Sequence, residues 1–182
     1  MSETKTMTPP KSEPWLRGTL TKIDPVRRAV LHALELAAED VTRWSDGLTD
    51  EQLFARPAGL PPIAFHLRHM VRTLDRLLTY AEGGQLSEAQ LAALKTEMDP
   101  GSAADVRAEF SQGLRQANSR IVAIPPEHFA DPRGIGRKQL PTSVAGLLIH
   151  CADHTQRHVG QVVTTAKVVV ALQPVVTLEP KA

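Results

Sequence analysis

The stretch His150-Cys151-Ala152-Asp153-His154-Thr155-Gln156-Arg157-His158-Val159-Gly160-Gln161 lies inside a run whose apolar residues recur at helical spacing. Val144, Leu147, Leu148, Val162, Val163 and Ala166 carry that pattern, which opens at Thr142 or Ser143 and ends near Ala171. It predicts one long helix. Within it His150, His154 and His158 follow one another at four-residue intervals, so they stand one turn apart on one face. Two imidazoles so placed can reach a single divalent transition metal (Zn, Ni or Fe), at about 2.0–2.1 Å for zinc. All three cannot, because His150 and His158 lie about 12 Å apart along the axis. A bare His-x-x-x-His also arises by chance in amphipathic helices. It gains weight from a second helix, where His66 and His69 are three apart and share a face. A third imidazole from there would complete a facial three-nitrogen site of the kind built in bundle cores.

Working outward, Asp24-Pro25 reads as an N-cap followed by proline at the first helical position. Val26, Val30, Leu31, Leu34, Ala37, Ala38, Val41 and Trp44 then recur helically until Gly47, and Thr49-Asp50-Glu51-Gln52 resembles a short capped turn. The segment Arg56–Pro62 breaks the chain, and a second helix follows on Ile63, Leu67, Met70, Val71, Leu74, Leu77 and Leu78, ended by Gly83-Gly84. Leu86–Met98, opened by Ser87, reads as a short connecting helix. After Asp99-Pro100-Gly101-Ser102 a third long helix runs to about Ile124, with Val106, Phe110, Leu114, Ile121 and Val122 inward. No two neighbouring segments alternate, so no sheet is expected. The reading is all-α: a four-helix bundle over residues 15–172, with a mobile N-terminal tail at 1–14 and a C-terminal tail at 173–182.

Composition narrows the function. The 182 residues suit one domain, and 42% apolar content supplies a core. A net charge of +1, from 21 basic and 20 acidic residues, and only 4% aromatics argue against nucleic acid as a partner. Cys151 is the single cysteine, so no intrachain disulfide can form. The start of the chain lacks the apolar run of a secretory signal, and Val168–Leu172 is far too short to span a bilayer. The expectation is a cytoplasmic protein acting on a small-molecule substrate, with no membrane partner.

His154-Thr155-Gln156-Arg157-His158-Val159-Gly160-Gln161 resembles the metal signature of the DinB-like superfamily, which includes the YfiT-type proteins classed as metal-dependent hydrolases. Pro62–Met70 resembles that family's second helix, and the match puts the family's first ligand on His69 rather than His66. Glu13–Thr19 is similar to the opening of one soluble subgroup, and the resemblance spans roughly residues 15–171. It implies an up-down-down-up bundle with a long crossover between the second and third helices, which Leu86–Met98 fits. It implies His69, His154 and His158 as ligands of one divalent metal, with a fourth position open to water. It further implies hydrolysis or transfer of a low-molecular-weight thiol, as in the bacillithiol and mycothiol transferase branches, and a homodimer. The thiol reading would explain why no protein nucleophile stands out.

Other residues carry weaker expectations. His66 and His150 could serve behind the ligands or as acid–base groups, or simply face solvent. His32 could be an extra ligand or a substrate contact in the same pocket, a surface histidine being the commoner case. Asp153 and Arg157 flank the pair and read as making solvated or interface contacts, Gly160 as a site of close helix approach, and Gln161 as open. Asp75 and Arg76 lie too far along the second helix to ligate. Thr155 stands where a zincin carries Glu, which argues against that protease class. Cys151 and His150 point about 100° apart and form no nucleophile–base pair. The rivals to an enzyme are a non-catalytic metal- or ligand-binding bundle in stress response and a purely structural helical protein.

Overall fold

A computed structural model describes residues 12–172; residues 1–11 of the expected N-terminal tail and the whole expected C-terminal tail, 173–182, lie outside the described residues. The chain is mostly helical. Helix α1 (Pro25–Ser45) starts where Asp24 accepts the backbone N–H groups of Val26 and Arg27, with Pro25 at the first turn. Helix α2 (Asp50–Phe54) is opened by a capping box of Thr49 and Gln52. Helix α3 (Ile63–Ala81) follows Pro62, and Gly83 with φ +83° ends it. Helix α5 (Ala103–Ala123) is capped by Ser102 and α6 (Val144–Ala171) by Ser143.

The connecting segment is shorter than its sequence suggests. Ser87 and Gln90 form a capping box, but α4 covers only Glu88–Ala93 and passes into a tight turn at Leu94–Thr96. None of the α4 residues is buried, so packing does not sustain it. At its end the Ala93 carbonyl accepts from Arg72 Nη1 and Thr96 Oγ1 instead of continuing the helix.

The expectation of no sheet is corrected by a small antiparallel ribbon, β1 (Pro132–Ile135) with β2 (Leu140–Ser143), in which Pro132 faces Ser143 and Ile135 faces Leu140. Four residues per strand, with proline and glycine among them, give too short a pattern for alternation to register. The ribbon leads directly into the Ser143 cap of α6.

One core joins the four long helices: α3 packs on α5 and α6, and α1 packs on α6 and, less closely, α5. Leu34, Leu67, Met70, Leu74, Leu78, Ile121 and Leu148 are its largest buried side chains. Val122 was expected inward but is 48% exposed; it lies about 100° round the helix from buried Ile121, and Ala117 fills the inner row instead. Gly160 is exposed and a Cβ there would meet nothing, so it is not a point of close approach. Gly113 is: a Cβ on it would overlap the Val71 side chain across the α3–α5 seam. Among the described residues no helix is long and apolar enough to cross a membrane.

Candidate metal centre

Helix α3 is buried on most of its circumference, which brings its histidines against α6. His66 then lies opposite His158, and His69 opposite His154. His69 Nε2 is 3.3 Å from His154 Nε2, and the His158 ring centroid is 4.6 Å from both other rings. One ring nitrogen from each of His69, His154 and His158 lies within 4.8 Å of the others, so these three could hold a metal ion. Tetrahedral coordination at ordinary zinc–nitrogen lengths separates two ligand nitrogens by about 3.3 Å, the spacing seen between His69 and His154. The donor set fits a divalent transition metal.

Electrostatics point the same way. Burial, then the neighbouring imidazoles, lowers the pKa of His66 to about 4. Burial and the surrounding positive partners, Arg157 included, do the same for His154 and His158, each to about 4. All three are therefore neutral at pH 7, each with one protonated ring nitrogen and one that bears a lone pair. Phe65 stacks on His69 at 5.2 Å between centroids and shields one face of the cluster.

The remaining histidines separate clearly. His66 is 1% exposed; its Nδ1 is 2.9 Å from His158 Nδ1, while its Nε2 is buried without a partner. With His158 Nδ1 donating to His66, the lone pair of His158 stands on Nε2, where a metal could take it. His150 is solvent-facing, its ring 5.6 Å from His154 and its Nδ1 3.6 Å from Asp153. Arg157 Nη2 donates to Asp153 Oδ2 at 2.5 Å, which makes the two an exposed pair. His32 is not a surface histidine: it is buried, with Nε2 3.0 Å from Thr19 Oγ1, and belongs to a separate small cavity beside Trp15 and Arg28. Gln161 is exposed. Cys151 is fully buried, and burial pushes its thiol up to about 12, so it stays protonated and unreactive.

Sequence spacing missed Glu97 altogether. Its Oε2 lies 2.7 Å from His69 Nδ1 and its Oε1 accepts from Arg76 Nη1 at 3.2 Å. Burial opposes its charge, but the bonds and charges of His69 and Arg76 prevail and hold the carboxyl below its usual pKa. Arg76, too far along α3 to ligate, reaches the site through this carboxylate. A cavity of about 630 Å³ opens elsewhere, between α1 and α5, on Leu31, Leu34, Phe110 and Leu114; none of the histidines lines it.

Residues 33–162 match the family model of the DinB superfamily, well over half of the chain and all three clustered histidines. No curated protein matches the chain.

Proposed function

The chain belongs to the DinB superfamily, and on that premise we propose that it is a metal-dependent enzyme in which His69, His154 and His158 hold one divalent transition metal. The favoured reaction is transfer of a low-molecular-weight thiol to a small electrophile, ahead of hydrolysis. The observation that carries this choice is the lack of a free carboxylate beside the cluster among the described residues: both Glu97 oxygens are engaged, and Asp153 is paired with Arg157 at the surface. A hydrolase usually draws on such a group as general base, whereas a thiol cosubstrate brings its own nucleophile. A metal bound by three imidazoles would supply Lewis acidity at one open position, favouring the ionised form of whatever nucleophile sits there. The protein's part is to keep His154 and His158 neutral, to orient the three rings, and to shield one face with Phe65. In the transfer itself sulfur bonds to the electrophilic carbon as the leaving group departs with its electron pair, and the thiol proton passes to solvent.

We also read the four long helices as the up-down-down-up bundle. Gln156 bonding Ala33 and Lys167 lying over Trp44 advance together along α6 and α1, which supports a parallel pair. His66–His158 and His69–His154 run in opposite senses along α3 and α6. Arg72–Glu109 and Glu82–Arg120 advance together along α3 and α5. The segment after α3 then serves as the long crossover.

The test is consumption of a small thiol and a chromogenic electrophile by zinc-, nickel- and iron(II)-loaded protein, beside a nitrophenyl ester without thiol. Metal-dependent thiol transfer that drops at least tenfold in His154→Ala is the expected result. Ester turnover alone would move the assignment to hydrolysis, and inactivity toward both would leave a non-catalytic metal-binding protein.

A further inference from the structure

Glu97 is 6% exposed although its neighbours Thr96 and Met98 are exposed on the crossover. A carboxylate withdrawn from water in this way is costly unless its oxygens are bonded. Both are, one to His69 and one to Arg76, whose other arm donates to Thr73 Oγ1 at 2.7 Å. Arg76 is the last of a row. Arg68, Arg72 and Arg76 are spaced by four on α3, and all three reach the crossover: Arg68 donates to the Asp99 carbonyl, and Arg72 to the Ala93 carbonyl and Thr96 Oγ1. The crossover backbone is thus held on both sides of Glu97.

We propose that Glu97 is a positioning residue of the metal centre, fixed in place by the Arg68–Arg72–Arg76 row and setting the tautomer of His69. An ionised carboxylate only accepts, so His69 Nδ1 carries the proton it donates to Glu97. The lone pair is then on Nε2, the nitrogen turned toward His154. Such a partner also raises the basicity of the ligating nitrogen. The crossover therefore completes the centre, and a contact from the helix connection governs how tightly α3 and α6 share an ion. This inference rests on the reading of His69, His154 and His158 as metal ligands.

The experiment compares wild type, Glu97→Gln and Glu97→Ala. Zinc affinity is measured by competition with a chromophoric chelator, and the His69 tautomer in metal-free protein by long-range proton–nitrogen NMR. Wild type should show His69 protonated on Nδ1. Glu97→Ala should lose that preference and bind zinc roughly 10- to 100-fold more weakly. Glu97→Gln, nearly isosteric and able to accept through its amide oxygen, should fall between. His69 protonated on Nε2 in wild type, or wild-type affinity in Glu97→Ala, would overturn the proposal. Wild type that takes up no zinc would overturn the metal reading itself, before any variant is compared, and this inference with it.

Discussion

At the scale of single residues the centre is a problem of keeping imidazoles uncharged. His66 is the clearest case, since it is sealed from water and its folded pKa of about 4 lies well below the ordinary 6.5. Between those values the unfolded chain binds more protons than the folded one, so stability falls as pH falls. Above about pH 6.5 this contribution is constant. The metal-free protein should therefore lose stability from about pH 6.5 down to about 4, of order 3 kcal/mol for His66 alone. Urea midpoints measured across that range would check it; a flat profile from pH 7 to 5 would contradict it. The clustered histidines were the most legible part of the site: four-residue spacing put His150, His154 and His158 on one face, and the family resemblance of His154–Gln161 singled out His154 and His158. Glu97 was invisible because it meets His69 across 28 positions of sequence, through a tertiary contact that no local period encodes. His32 was misjudged for a similar reason: its partner Thr19 lies in the segment before α1, whose path no local period encodes.

At the scale of elements, caps and breakers did most of the work. Asp24, Thr49, Ser87, Ser102 and Ser143 all accept backbone N–H groups at helix starts, and the first three stand directly before a proline or acidic residue that announces the helix. What the pattern does not contain is the neighbour each face will meet. Gly113 shows this: nothing in its sequence distinguishes it from Gly160, yet one abuts Val71 and the other faces open space. Gly113→Ala should gain helix propensity but force the Val71 side chain and its backbone to shift. Overpacking of that kind costs about 1–3 kcal/mol against a propensity gain of about 1. The expected result is a net loss of stability with Gly160→Ala as the unaffected or slightly stabilised control, read from thermal melts of both variants.

At the scale of the whole molecule, helix contacts turn two separate sequence motifs into one site. Helix α3 contributes a histidine face toward α6 and an arginine row toward the crossover, so the same helix presents the proposed ligand His69 and anchors the segment whose Glu97 bonds it. The α1–α5 side, with its apolar cavity, plays no part in the centre. The central claim is that His69, His154 and His158 bind one divalent ion. It is tested most directly by elemental analysis of tag-free protein, wild type beside His154→Ala, after incubation with zinc, nickel or iron(II) and removal of excess. About one equivalent in wild type, lost in the variant while the helical signal is unchanged, is the predicted result. An absence of bound metal in wild type, or an equivalent retained without His154, would contradict it.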